Sequence, residues 1–225
     1  MERHFHEELK ELKQKLLKMG FLVESAVDKA IDSFLARKTW MAEEVIEEEK
    51  QINQLEIDID EEGHKLCALW QPLAVDLRLV TSILKMSKDF ERMGDHAVNI
   101  AECAIKIAGQ SPFADLEFPK MSIAVLSILS DALKSFMDEN AELARQVLAQ
   151  DDQIDQFNDN ARNRITQLME KNPSVIKTGI NYLIVAHNLE RIGDLASNIA
   201  EDVVYLKSGK EVRHRIEERQ VKLID

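Results

Sequence analysis

The sequence predicts an all-α protein made of two pseudo-symmetric three-helix bundles. Hydrophobic residues make up 45% of its 225 residues, aromatic residues only 5%, and it holds seven Gly and four Pro. A chain rich in Leu, Ile, Ala, Glu and Lys and poor in Gly, Pro and aromatic side chains favours helices over strands. A sharp internal repeat further predicts that one helical unit occurs twice.

The repeat joins ERMGDHAVNIAE at 91–102 to ERIGDLASNIAE at 190–201, with nine identities in twelve positions at an offset of 99. Upstream, 41–57 aligns with 143–159 at an offset of 102, so the second copy is three residues shorter at the corner between the two matches. We therefore predict a first repeat at 1–110, a second at 111–208 and a charged tail at 209–225.

The four prolines mark helix boundaries, because proline inside a helix removes a hydrogen bond but is tolerated in the first turn. They are Pro72, Pro112, Pro119 and Pro173. Long amphipathic segments run between them, and the charged tail could add a short seventh helix. The six predicted helices lie near 4–37, 41–69, 73–108, 120–138, 142–170 and 174–207.

The net charge and the two cysteines indicate which partners are disfavoured and in which compartment the protein is expected. A formal charge of −12 disfavours nucleic acid and anionic membranes, which attract basic surfaces. It also disfavours direct capture of phosphate without a bridging cation. Cys67 and Cys103 lack metal-site spacing and indicate a reducing compartment. A polar N-terminus and the lack of a run of about 18 apolar residues predict a cytoplasmic protein that does not span the membrane.

An acidic stripe follows the repeated motif. With about 100° of rotation per residue, its polar members fall within an arc of roughly 80° that borders the apolar face. In the first copy these are Glu91, Asp95, Asn99 and Glu102; in the second they are Glu190, Asp194, Asn198 and Glu201, joined by His187.

Antiparallel hairpins bring a second set of polar side chains opposite each stripe. A turn near Gln71 places Glu49 and Asn53 opposite the first stripe, and a turn near Asn172 places Asp151 and Asp155 opposite the second. Carboxylates so close together raise one another's pKa or require a cation. Oxygen-rich, His-poor clusters suit Mg, Mn, Ca or iron, whereas Zn more usually takes His or Cys. We expect the second cluster, with four carboxylates, to bind metal more tightly than the first, with three plus Asn53.

Two other interpretations of the stripes stay open. The carboxylates could form salt bridges with Arg92 and Arg191, which would make the protein a metal-free helical scaffold. A metal-dependent hydrolase is less favoured, because the sequence shows no nucleophile elbow and no Gly-rich phosphate loop. An ordinary solvated helix face explains one Glu-x-x-x-Asp pair more readily than a duplicated one.

The two motifs, the QINQLEIDID and DDQIDQF segments before them and the corner residues Gln71, Pro72, Asp76, Leu77 and Arg78 resemble the PhoU family. The resemblance covers nearly the whole chain. It implies a cytoplasmic negative regulator of the phosphate-starvation response, not an enzyme. Such a protein would couple the high-affinity phosphate ABC transporter to its sensor histidine kinase and limit phosphate uptake. We also expect a homodimer.

The resemblance further implies multinuclear metal clusters of iron, manganese or zinc, with Mg or Ca as further options. On this chain the implied ligands are Glu91, Asp95, Glu190 and Asp194, with the facing pair Asp151 and Asp155. Glu49 belongs to the same expected set because of its place in the hairpin. Asn53 departs from an acidic pattern.

Overall fold

A computed structural model of the protein describes residues 2–113 and 116–210. Within these ranges the chain forms seven α-helices and one turn of 3-10 helix at Pro173–Val175. The helices are α1 Glu2–Ala36, α2 Thr39–Trp70, α3 Ala74–Ile107, α4 Phe118–Met137, α5 Ala141–Leu148, α6 Asp151–Lys171 and α7 Ile176–Ser208. The prediction of an all-α fold is confirmed.

The predicted helix at 142–170 is wrong in one respect, because the structure divides it into α5 and α6 at 149–150. The Asn140 side chain caps α5 by accepting hydrogen bonds from the backbone N–H groups of Glu142 and Leu143. Helix α6 then begins with Asp151 and Asp152, whose charges favour a helix N-terminus. No Gly or Pro stands at the break, so the pattern alone gave no sign of it.

The helices form two bundles that share one core. Helix α1 packs on α2 and α3, while α4 packs on α5, α6 and α7, and the long helices α3 and α7 join the two bundles. Helices α3 and α7 run antiparallel, since Lys85 Nζ lies 4.0 Å from Asp202 Oδ1 and Gln110 near the other end of α3 bonds Thr178. The repeat limits of 110 and 208 stay predictions, and 211–225, where a further helix was considered, lie outside the described residues.

The two motif glycines set how closely the acidic helices approach their neighbours. A Cβ at Gly94 would lie 3.4 Å from Ile52 Cδ1, and one at Gly193 would lie 2.9 Å from Ile154 Cδ1. The missing side chain at Gly193 therefore lets α7 lie close against α6, whereas a Cβ at Gly94 would make ordinary contact between α3 and α2. The close approach brings the carboxylates of the paired helices together.

No helix within residues 2–113 and 116–210 combines the length and the apolar character needed to cross a membrane.

Candidate metal centre

The tightest group of acidic side chains lies between α6 and α7. Asp155, Glu190 and Asp194 each direct a carboxylate oxygen to a common point, with all three oxygens within 4.8 Å of one another. Within residues 2–113 and 116–210, no other set of three or more Asp, Glu, His or Cys side chains brings its ligand atoms this close together. Glu190 and Asp194 are half-buried on α7, and Asp155 is exposed on α6.

The folded state disfavours negative charge on all three groups. Burial is the largest cause of the raised pKa of Asp155, followed by repulsion from Asp151. Burial also raises the pKa of Glu190, although Arg191 lowers it. For Asp194, burial and then the Glu190 carboxylate raise the pKa. A cation at this point would relieve both the desolvation and the mutual repulsion.

Positive side chains already approach the cluster. Arg191 Nη1 donates a hydrogen bond to Asp194 Oδ2 at 2.7 Å, and Arg191 Nε lies 3.3 Å from Glu190 Oε2. His187 Nδ1 lies 3.5 Å from the same Glu190 oxygen. That oxygen is buried and accepts no hydrogen bond, so the ion pair with Arg191 satisfies it only partly. The Arg191 guanidinium therefore supplies positive charge beside Glu190 and Asp194, as a bound metal ion would.

The donor set fits a hard divalent cation. Metal–oxygen bonds of about 2.0–2.6 Å place oxygens on opposite sides of an ion roughly 4–5 Å apart, which matches the 4.8 Å limit of this group. Three carboxylates without Cys suit Mg, Ca, Mn or iron better than Zn. Asp155, Glu190 and Asp194 would hold such an ion, with His187 as the nearest nitrogen donor.

The corresponding cluster between α2 and α3 is looser. Glu49 acts on Asp95 by charge and hydrogen bonding, and together with burial it raises the pKa of Asp95. Asn53 Nδ2 donates to Glu49 Oε1 at 3.0 Å, while the buried Asn53 Oδ1 accepts no hydrogen bond. Burial, Asp95 and Glu56 raise the pKa of Glu91.

Glu56 is a member of this cluster that the sequence analysis missed. The sequence predicts a turn near Gln71, but α2 ends at Trp70 and α3 begins only at Ala74. The hairpin is therefore centred about one residue later, so positions 53 and 91 face each other, and Glu56, about one turn nearer the corner, acts on the same Glu91 carboxylate. The repeat contained the signal: at an offset of 102, Asn53 and Glu56 align with Asp155 and Asn158, so each copy has one Asn and one acid in exchanged places.

The arginine of the first motif behaves differently from that of the second. Arg92 Nη1 lies 3.8 Å from Asp89 Oδ1, although its charge also lowers the pKa of Glu91. The salt-bridge interpretation therefore describes Arg191 more closely than Arg92.

Several expected members lie beside the clusters. Asp151 Oδ1 accepts a hydrogen bond from Ser197 Oγ at 3.1 Å and is not part of the converging group. Asn99 Nδ2 donates to Asn188 Oδ1 across the α3–α7 contact at 3.3 Å.

The C-terminal members of the two stripes lie in different surroundings. Glu102 pairs with Lys106 at 3.2 Å. Its repeat equivalent, Glu201, is buried, and Asn198 is half-buried. Burial is the largest cause that raises the pKa of Glu91, Asp95, Glu190 and Asp194, the first two carboxylates of each stripe.

Comparison with known proteins matches this geometry to a family. The family model described as PhoU domain matches residues 16–104 and again 118–203. The chain belongs to the PhoU family. A Pseudomonas putida relative, named phosphate-specific transport system accessory protein PhoU homolog, is 39% identical over 94% of this chain and 84% of its own length. A Thermotoga maritima homologue of the same name, numbered 1, is 32% identical over 93% and 91%.

Solved PhoU structures share the fold. The crystal structure of PhoU from Pseudomonas aeruginosa matches with a TM-score of 0.89 and 38% identity over 92% of this chain and all of that one. The phosphate transport system regulatory protein PhoU from Streptococcus pneumoniae matches with a TM-score of 0.85 and 35% identity, covering 92% and 99%.

Proposed function

We propose that this PhoU protein is a non-enzymatic, cytoplasmic negative regulator of the phosphate-starvation response. It would couple the ATPase of the phosphate ABC transporter to a sensor histidine kinase and limit phosphate uptake when phosphate is plentiful. The main support is a match of more than 90% of the chain to relatives named as accessory proteins of phosphate-specific transport. A long helical molecule whose acidic clusters lie on its two central helices suits an adaptor.

We further propose that the acidic clusters bind metal ions. Asp155, Glu190 and Asp194 would hold an ion between α6 and α7, and this proposal rests on the convergence of their oxygens. The cluster of the first repeat would bind a second ion, with Glu49, Glu56, Glu91 and Asp95 as its ligands. A bound cation supplies positive charge that fixes neighbouring helices together. The same charge sets the surface potential that a partner meets.

The regulatory role is tested by complementation. In the native host, deletion of the gene should raise phosphate uptake and a phosphate-starvation reporter in phosphate-rich medium, and the wild-type gene should restore both. The variant Glu190→Gln with Asp194→Asn should restore them poorly, whereas Glu142→Gln, which changes an exposed ion pair with Arg145 on α5, should restore them fully. Unchanged uptake and reporter after deletion would contradict the proposed role.

A metal-free scaffold is the second candidate, because Arg191 already contacts Glu190 and Asp194. Elemental analysis of protein purified without chelator separates the two. Binding predicts at least one transition-metal or alkaline-earth ion per chain that is lost in the double variant. A scaffold predicts the same trace content in both proteins.

A further inference from the structure

An apolar ridge runs along the exposed side of the N-terminal half of α7. Ile176, Ile180 and Ile184 are 42%, 48% and 40% exposed. A spacing of four places them on one side of the helix over about 12 Å. The other described helices leave these three side chains far more exposed than the residues of the core. Such a continuous apolar line is more than the scattered exposed side chains of ordinary surfaces.

The ridge is a property of the second repeat alone. At an offset of 99, the positions of Ile176, Ile180 and Ile184 correspond to Leu77, Thr81 and Lys85 in α3. Since the first repeat builds the same type of helix with polar residues at two of the three positions, folding does not require the isoleucines. A surface role explains them better.

The ridge continues into a strongly acidic surface. Each residue of a helix is rotated by about 100° from the one before it. Measured around the helix axis from Glu190, the three isoleucines of the ridge lie at roughly 40–120° and Asp194 lies near 40°. The ridge and Asp194 therefore share one side of α7. Ile184 precedes Glu190 by six residues, or about 9 Å along the axis. The charged side chains that act on Asp155, Glu190 and Asp194 here, counted with those three, are the acids Asp151, Asp152, Asp155, Asp159, Glu190 and Asp194 and the bases Arg162 and Arg191.

The sign of this charge does not depend on a bound metal. Six carboxylates against two guanidinium groups give a formal charge of −4, and a single divalent ion would leave −2. Anionic lipid carries the same sign and is disfavoured as an occupant. A second copy docked in parallel, with acidic surface opposite acidic surface, would also be repelled.

We propose that this surface of α7 and α6 docks an amphipathic helix of a partner protein. The partner helix would place apolar side chains, spaced by three or four residues, on the isoleucine ridge. Lys or Arg residues two to three turns further along would reach the acidic side chains. Helices commonly bind grooves through such anchors, and charge at the rim fixes direction and partner choice. Because only the second repeat carries the ridge, the pseudo-symmetric molecule would bind in one orientation.

The test uses a fluorescein-labelled 20-residue helical peptide with three Leu at i, i+4 and i+8 followed by four Arg. Fluorescence anisotropy measures its affinity for the full chain, both with EDTA and with 1 mM MnCl₂. We expect Ile180→Asp to weaken binding at least tenfold, because it places a charge in the apolar contact. Asp152→Asn with Asp159→Asn should weaken it several-fold. A peptide with Glu in place of Arg should not bind.

Ile123→Asp is the matched control, since Ile123 on α4 is 70% exposed and lies outside the ridge. Its affinity should stay within twofold of wild type. Equal affinity of Ile180→Asp and wild type would overturn the proposal, as would equal weakening by both isoleucine changes. Sedimentation showing a dimer that only Ile180→Asp dissociates would assign the ridge to a second copy and also overturn it. Failure here leaves the metal content and the complementation result unaffected.

Discussion

Replacing Asp194 by Asn separates the electrostatic cost of the cluster from its capacity for metal. The carboxylate faces Glu190 and Asp155 at up to 4.8 Å, where two unit charges in water repel by about 0.9 kcal/mol. Relief of two such contacts, about 1.7 kcal/mol, is offset by loss of the Arg191 ion pair, worth about 0.2–1 kcal/mol when partly exposed. Further solvent screening leaves a net stabilisation of about 0.5–1 kcal/mol in the metal-free protein.

Thermal melting measures this directly. For a domain of this size, about 1 kcal/mol moves Tm by roughly 2–4 °C, so Asp194→Asn should melt about 1–4 °C above wild type in EDTA. Metal should reverse the order, because saturation at a hundredfold excess over Kd stabilises wild type by about 2.7 kcal/mol and the variant has lost a ligand. Asp152→Asn, an exposed acidic control on α6, should keep the full metal-induced shift.

A melting temperature several degrees lower for Asp194→Asn in EDTA would refute this reasoning. It would show that the ion pair between Asp194 and Arg191 outweighs the repulsion. An undiminished metal-induced shift in the variant would equally exclude Asp194 as a ligand.

Three further predictions concern pH, the first cluster and the helix contacts. Because its raised pKa makes Asp194 bind a proton more tightly in the folded state, urea titrations in EDTA should show that the stability gained by Asp194→Asn over wild type shrinks as the pH falls from 7 towards 5. Comparing the two proteins cancels the opposite contribution of His96, whose pKa is lowered by burial, and a gain that grows as the pH falls would contradict the prediction. Asn53→Asp, which copies Asp155 into the first repeat, should raise bound Mn by up to one ion per chain in elemental analysis; no increase would exclude this site. Gly94→Ala should stabilise by up to about 1 kcal/mol in chemical denaturation, because Ala favours helix and the new Cβ meets Ile52 at 3.4 Å. Gly20→Ala, whose Cβ would lie 2.6 Å from Leu133 Cδ1, should instead destabilise by about 1 kcal/mol or more through overpacking, and the opposite order would refute the packing argument.

The sequence allowed the helical fold and the repeated acidic positions to be predicted because both are periodic. Helix α6 could not be separated from α5, since no Gly or Pro stands at 149–150 and no side chain caps α6 at Gln150. The only local signal at its start is the pair of acidic residues Asp151 and Asp152 in its first turn.

The candidate site was predicted in outline but not in register. The corner of three residues at 71–73 centres the hairpin about one residue later than predicted, and Glu56, one turn from position 53, also reaches Glu91. A side-chain direction is likewise invisible in a sequence, so the hydrogen bond from Ser197 to Asp151 could not be predicted; the charge of Asp151 nevertheless acts on Asp155, and its place in a metal site stays a prediction. Rotation around a helix predicts which face a residue occupies, but the neighbouring helix decides what that residue contacts.

The most direct test of the metal proposal is anomalous diffraction from crystals grown with 1 mM MnCl₂. We predict an anomalous peak bonded to the carboxylates of Asp155, Glu190 and Asp194, at the roughly 2.0–2.6 Å typical of such metal–oxygen bonds, with the Arg191 guanidinium turned away. Crystals with no peak there and Arg191 still bridging Glu190 and Asp194 would contradict the account.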